Sequence, residues 1–381
     1  KGTLTLRNST ISGNKAGGKG GGIYNYGTLT LRNVTLSGNT AKSSGGGLSN
    51  YEGTANLNNV TLAFNTADSN ADNIGDGGGI YAYNDDDGWV KAGNSIIANN
   101  NDNSPTASKK HPDCSGALIS QGYNLIQNTT GCAITGVTTG NLLGVNPNLE
   151  PLQNNGGNTF THELLAGSPA MESGDPATPG SGGGACEATD QRGVTRPIGL
   201  RCDMGALEAD NPPQVGPVFI VNTTDDPGDG VCGYSHCSLR EAIAAANARP
   251  NGTTPDQITF NIAGTGPHTI APTSALPAIT DPVLVDGTTD AVVLDGLNAG
   301  AGADGLTLNT GNSTVRNLTI TGFSGNGVRV DSGTGNALHA NSIFGNGRQG
   351  IELGEDRVTP NDTADADTGA NNLQNFPVIA R

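Results

Sequence analysis

Apolar and polar residues alternate strictly through Thr3-Leu4-Thr5-Leu6, and that alternation returns twice with nearly the same residues. Thr-Leu-Thr-Leu-Arg-Asn-Ser-Thr-Ile-Ser-Gly-Asn fills 3–14, Thr-Leu-Thr-Leu-Arg-Asn-Val-Thr-Leu-Ser-Gly-Asn fills 28–39, and Thr-Ala-Asn-Leu-Asn-Asn-Val-Thr-Leu-Ala-Phe-Asn fills 54–65. The copies begin 25 and then 26 residues apart. A period of two puts alternate side chains on opposite faces of a strand. Leu6, Leu31 and Leu57 then form one apolar column and Ile11, Leu36 and Leu62 another, with Thr10, Thr35 and Thr61 one place away. Asn8, Asn33 and Asn59 form a third column and Asn14, Asn39 and Asn65 a fourth. Asparagine tolerates left-handed backbone, and its amide can bond an identical amide about 4.8 Å away in a parallel stack.

Glycine tracts separate the copies, as Gly20-Gly21-Gly22-Ile23-Tyr24, Gly45-Gly46-Gly47-Leu48-Ser49 and Gly77-Gly78-Gly79-Ile80-Tyr81. Each repeat therefore reads as two or three short strands with glycine and asparagine corners. No helix has room between them, which excludes a leucine-rich repeat. The pattern predicts an all-β chain built as a right-handed parallel β-helix, in which neighbouring coils complete one core.

From Ser95-Ile96-Ile97-Ala98-Asn99 onward the register blurs. The predicted organisation is β-helix coils over 1–113, ending in a polar loop at 101–113, then a loop-rich, disulfide-bearing cap over 114–210. Pro147, Pro151, Pro169, Pro176, Pro179 and Gly182-Gly183-Gly184 punctuate that cap. Residues 211–217, Asn-Pro-Pro-Gln-Val-Gly-Pro, read as a semi-rigid linker. A second β-helix with its own cap follows over 218–381. It opens with a strand at Val218-Phe219-Ile220-Val221 and a short helix from Ser238 to Asn247. Ser238 and Glu241 have capping-box spacing, and Ala242, Ile243 and Ala246 give an apolar face sized to plug the end of a coil. Coils resume at Leu306, Val315–Ile320, Val328–Val330 and Ala340–Leu353.

With 59 glycines in 381 residues, 4% aromatics and 14% charged residues, the composition excludes a helical bundle, and 34% apolar residues suffice only for a long, narrow core. Residues 1–113 carry nine basic and nine acidic side chains, so the whole net charge of −16 lies beyond Asp113. That balance disfavours nucleic acid, which is held by basic surfaces. No apolar stretch approaches the ~18 residues of a membrane span. The opening at Lys1 is expected to mark a processed or excised piece, with any signal or anchor outside it.

Six cysteines fall into local pairs, Cys114 with Cys132, Cys186 with Cys202, and Cys232 with Cys237. Fifteen connectivities are open to six cysteines; neighbour pairing is expected because each bridge then closes a loop within one segment. Zinc is the rival use, but no C-x2-C occurs, and His111 and His236 complete no familiar tetrad. Disulfides imply an oxidising compartment.

Cys237-Ser238-Leu239-Arg240-Glu241-Ala242-Ile243, preceded by Val221-Asn222-Thr223-Thr224-Asp225-Asp226, resembles the CSLREA domain of bacterial surface proteins. The segment from Asp365 to Val378 is similar to one that follows such domains. Asn146-Pro147-Asn148-Leu149, Pro151 to Gly157, Gly167-Ser168-Pro169-Ala170, Asp190-Gln191-Arg192-Gly193 and Cys202-Asp203-Met204-Gly205-Ala206-Leu207-Glu208 resemble a choice-of-anchor Q domain. The Gly-Gly-Gly-Ile and Phe323-Ser324-Gly325-Asn326 motifs resemble repeats of polymorphic outer membrane proteins. Together the resemblances imply a secreted or surface-displayed bacterial β-helix of the pectin-lyase-like class, with no catalytic motif to carry over.

Candidate chemistry is sparse. Asp85-Asp86-Asp87 is the densest acidic cluster, in an insertion beside Gly88 and Trp89, where a solvated turn accounts for it better than a glycosidase carboxylate pair does. His162, His268 and His339 have no sequence partners that suggest a triad. Calcium is the candidate cofactor: Asp225, Asp226 and Asp229 form one cluster of oxygen ligands at a glycine-containing turn, and Asp362, Asp365, Asp367 and Asn371 form another. Neither follows the EF-hand loop, and an Asp-rich solvated turn is the alternative. Thr3, Thr5, Thr28 and Thr30 form a ladder of the ice-binding kind that Asn56 breaks. Trp89, Tyr81 and Tyr83 are candidates for stacking on a sugar ring or for covering a coil edge.

The expected function is that of an extracellular or cell-surface structural or adhesive protein without catalysis. Its expected partners are further copies of itself, stacked end to end through unpaired strand edges, or surface glycans. A carbohydrate-active lyase or hydrolase, or a glycan-binding module, is the alternative.

Overall fold

A computed structural model describes residues 1–83, 88–226, 228, 230–354 and 368–374. The chain divides into two compact units, Lys1–Pro212 and Pro213–Arg381.

The first unit is a parallel β-helix. Strands Thr3–Ser12, Thr28–Ser37 and Thr54–Ala63 pair in parallel with Thr3 opposite Thr28 and Thr28 opposite Thr54, so the sequence repeat is the coil. Each ten-residue strand bends once, where Asn8, Asn33 and Asn59 take φ of 49°, 51° and 50°. Asparagine occupies that left-handed region more readily than other non-glycine residues, because its short amide bonds locally. The bend turns Leu29, Leu31, Val34 and Leu36 into one interior, stacked on Ala55, Leu57, Val60 and Leu62. The glycine tracts are required by approach: a Cβ on Gly46 would lie 2.4 Å from the Gly78 carbonyl oxygen of the next coil.

Coils do not stop at residue 113. Trp89–Gly93, Ile96–Ala98, Cys114–Gln121, Leu125–Ile126, Cys132–Val137 and Leu142–Leu143 continue the parallel stack. Their register was hidden by insertions of unequal length, while Val90 and Leu118 keep the interior column. Only beyond Leu143 does the chain of this unit become a strap without extended strands, up to its end at Pro212. This strap runs back over the outward side of the coils. Gln191 reaches Thr35 (2.8 Å) and Thr10 (2.8 Å), the Ala206 amide donates to Thr61 (2.9 Å), and His162 meets Ser37 (2.8 Å).

The second unit has three parallel sheets around one apolar interior: one begins at Val218–Val221 and ends at Ala337–His339, one runs from His268–Ile270 to Ser342–Phe344, and one from Leu306–Asn309 to Ile351–Leu353. The helix Leu239–Ala248 buries Leu239, Ala242, Ile243 and Ala246 into that interior beside Phe219 and Ile258. Ser238 caps it, with the Glu241 side chain returning to the Ser238 amide at 2.9 Å. Gln214, expected in a linker, is built into this unit: its amide brackets Ile220 and bonds the Gly233 carbonyl, which a polar side chain with both donor and acceptor can do.

Three disulfides form, Cys114–Cys132, Cys186–Cys202 and Cys232–Cys237, and no cysteine is free. An oxidising compartment follows. Among the described residues no helix is long and apolar enough to cross a membrane.

Candidate binding cleft

On the coil face formed by the first halves of the long strands, outward side chains stack as Thr5, Thr30, Asn56 and Lys91 in one column, and Arg7, Arg32, Asn58 and Gly93 in the next. Alternation dictates this, since Leu4 and Leu6 take the inward places between them. The strap segment Gly182–Ala185 stands against these columns and encloses a cleft of about 380 Å³, lined by Thr30, Arg32, Asn56, Asn58 and Gln121 on the coil side. Gly182, Gly183 and Gly184 all have positive φ, 83°, 67° and 112°, so this wall is bare backbone that other residues would strain.

The wall is pinned. Asn94 donates to the Gly184 carbonyl (2.7 Å) and Asn58 to the Ala185 carbonyl (2.9 Å), and the Cys186–Cys202 bridge ties the next residue down. Glu187 gathers Arg32 (2.5 Å), Arg7 (3.4 Å) and Asn58 (2.9 Å). The lining presents a guanidinium, three carboxamides and a hydroxyl; Asn58 spends both N–H groups on Ala185 and Glu187, which leaves Arg32, Asn56, Gln121 and Thr30 to donate to oxygen-rich ligands. Among the described residues no carboxylate, histidine, serine or cysteine lines it.

Beneath the strap three carboxylates converge: Glu172, Asp203 and Glu208 offer oxygen atoms within 4.8 Å of one another. Arg196, fully buried, pairs with Glu208 at 2.6 Å. Backbone amides take up other oxygens, from Glu172 and Ala209 to Asp203, and from Ile198 and Asp203 to Glu208. Burial, then the charge of Glu208, pushes the Asp203 carboxyl well up, and burial also raises Glu208 and Glu172. Asp190 organises the neighbouring turn through the Arg192, Val194 and Glu208 amides and the Arg192 guanidinium. These residues of the motifs at 190–193 and 202–208 thus hold the strap together. Asp203 and Glu208 share one motif five positions apart, whereas Glu172 joins them from 31 and 36 positions away and left no spacing signal in the sequence.

Of the predicted calcium ligands, Asp226 gives its oxygens to Arg240 (2.9 and 2.8 Å) and Thr273 (2.8 and 3.1 Å). Burial favours its neutral acid, but Arg240 and Thr273 hold its carboxyl below the usual range. Asp225 accepts from Thr223 (2.5 Å) and His236 (3.1 Å). Asn371 belongs to an asparagine column, accepting from the Asn336 amide and donating to its carbonyl, both at 2.9 Å. Asp229, Asp362, Asp365 and Asp367 lie outside the described residues, as do Asp85, Asp86 and Asp87.

His162 is buried between Ser37 and the Glu150 carbonyl, and burial lowers its pKa. His268 sits 3.3 Å from Asp290, and His339 is exposed beside Arg316 in register. Trp89 carries the Lys91 ammonium 4.2 Å from its ring centroid, and Tyr83 stacks on Tyr51 at 4.4 Å. The cleft residues themselves passed in the sequence as ordinary outward positions of the repeat. The one trace was the replacement of Arg7 and Arg32 by Asn58 in their column.

No family model matches the chain, and no curated protein matches it. Among solved structures, the PL6 family alginate lyase AlyGC is similar at 14% identity and a TM-score of 0.19, over 90% of this chain and 49% of that one. The chain thus spans about half the length of that lyase.

Proposed function

We propose that this chain is an extracellular or surface-displayed bacterial β-helix that binds glycans without turning them over, an adhesive rather than an enzymatic role. The supporting observation is the cleft between the Thr30, Arg32, Asn56, Asn58 and Gln121 side chains and the pinned Gly182–Ala185 wall. Carboxamides and a guanidinium on a preformed surface suit the hydroxyl and carboxylate oxygens of an acidic saccharide, and a fixed site spends little binding energy on ordering. Hydrolysis or elimination needs a general acid or base within hydrogen-bond reach of the reacting atoms. The described lining offers none, and Glu187 is committed to Arg7, Arg32 and Asn58. The CSLREA-like and choice-of-anchor Q-like motifs fit the same reading, because their described charged residues are absorbed in caps and straps.

Affinity electrophoresis through gels containing a polyuronate or a neutral glucan tests this. Retardation by the polyuronate is expected, with Arg32→Ala together with Asn58→Ala weakening it about tenfold or more, and no unsaturated or reducing ends released. Release of such ends would establish the lyase or hydrolase reading instead. Equal mobility in both gels would leave only a structural role.

A further inference from the structure

A second outward face of the first unit is made by the short strands after the glycine tracts. Tyr24, Ser49 and Tyr81 stand in register there, and Tyr51 pairs with Tyr83 in the adjoining column. Lys19, Ser44 and Asp76 immediately precede the same three tracts. The middle coil therefore has serine at both places where its neighbours carry a tyrosine and a charged group, which leaves a notch between tyrosines.

Lys19 fills that notch. Its Nζ lies 4.5 Å from the Tyr51 ring centroid, 5.6 Å from Tyr81 and 5.7 Å from Tyr83, all within reach of cation–π attraction. Among the described residues this ammonium has no hydrogen-bond acceptor and no carboxylate partner, and the contacts they give it are these three rings. Ser49, between Tyr24 and Tyr81, is wholly buried with a hydroxyl that has no partner. Further along the row the Lys1 ammonium lies 5.1 Å from the Tyr26 ring centroid, and Tyr26 donates to Glu52 at 2.7 Å. Lys1 also donates to the Glu52 carbonyl at 2.9 Å, so of the two cations on this row of tyrosines Lys19 is the one without an acceptor among the described residues.

We propose that the notch formed by Tyr51, Tyr81 and Tyr83 is a recognition site for a quaternary ammonium group, filled in the free chain by Lys19 as an internal stand-in. A primary ammonium wants acceptors for three N–H groups, and the described residues of the notch give Lys19 none. A quaternary ammonium has no N–H to satisfy and presents methyl groups that the rings contact directly. Lys19 follows a Gly17-Gly18 segment with open space around both glycines. This site is independent of the saccharide cleft, which lies on the strands Thr28–Ser37 and Thr54–Ala63.

The test is titration of the full chain with tetramethylammonium, read by ligand-observed NMR and tyrosine fluorescence, with 3,3-dimethylbutanol as the uncharged isostere. Lys19→Ala and Lys19→Met, which removes charge but keeps the alkyl stem, are each expected to bind tetramethylammonium at least about fivefold tighter than the parent. Adding Tyr51→Leu is expected to remove binding, and the uncharged isostere is expected not to bind. Thermal melting checks that every variant is folded. The proposal is overturned if neither Lys19 variant binds tighter than the parent, or if the isostere binds as well as the cation.

Discussion

Asn14, Asn39, Asn65 and Asn100 pass one hydrogen-bond pattern from coil to coil, each side-chain oxygen accepting both the amide and the carboxamide of the asparagine before it. The row ends at Asp113, whose carboxylate accepts from Asn100 (3.2 and 2.9 Å) and from the Asn128 amide (2.7 Å). An acceptor-only group is the chemical terminus that a row of donors requires. Burial nonetheless pushes this carboxyl from 3.8 up to about 6, against the donors from Asn100 and Asn128. In that window the native state keeps a proton that the unfolded chain has lost. Stability therefore falls as pH rises from about 4 to about 6 and levels off above, by up to about 3 kcal/mol from this group. Urea unfolding of the first unit at pH 4.5 and 7 measures it. Asp113→Asn is expected to flatten that dependence.

At the level of elements, the asparagine column shows why each coil depends on its neighbours. Asn65, wholly buried, donates to Asn100 and to the Leu36 and Ala63 carbonyls while accepting from Asn39. Asn65→Ala strands donors and acceptors on both adjacent coils. A loss of about 2–4 kcal/mol is expected, since each orphaned buried group costs on the order of 1–3 kcal/mol. An equivalent change at Asn14, on the exposed first coil, is expected to cost under about 1 kcal/mol by the same unfolding assay. In the second unit the short helix does related work at a coil end. Its capping box and buried Ala242 and Ile243 were legible from residues four or fewer apart, and the structure has both.

In the first unit taken whole, the strap turns a rod of coils into one with a defined cleft. Cys186–Cys202 closes a loop with 16 residues of separation and anchors the wall beside Ala185. Replacing both cysteines by serine is expected to cost about 3 kcal/mol. It is also expected to weaken polyuronate retardation severalfold while the far-ultraviolet β signal persists, because the coil hydrogen bonds do not pass through the loop. Loss of the β signal at the same temperature would show that the strap is needed for the coils themselves. Burial raises all three carboxyls of the Glu172, Asp203 and Glu208 cluster beside Arg196, so the contribution of this cluster to holding the strap falls as pH rises above the ordinary carboxylate range.

Legibility followed distance along the chain. Strand alternation, asparagine corners, glycine tracts, three local disulfides and the helix cap are all written in patterns that recur every two residues, every coil, or within about twenty positions. Local backbone preference and stacking of like on like therefore determined the β-helix from sequence alone. The extension of coils from Cys114 to Leu143 was masked because unequal insertions destroy a fixed period without disturbing the interior column of Val90 and Leu118. The cleft, the carboxylate cluster and the Lys19 notch were decided only by tertiary structure. Each joins side chains whose nearness comes from stacking or from the return of the strap, as Glu187 reaches Arg32 across 155 positions. No local preference encodes such a meeting; it exists only once the coils have stacked and the strap has found their outer face.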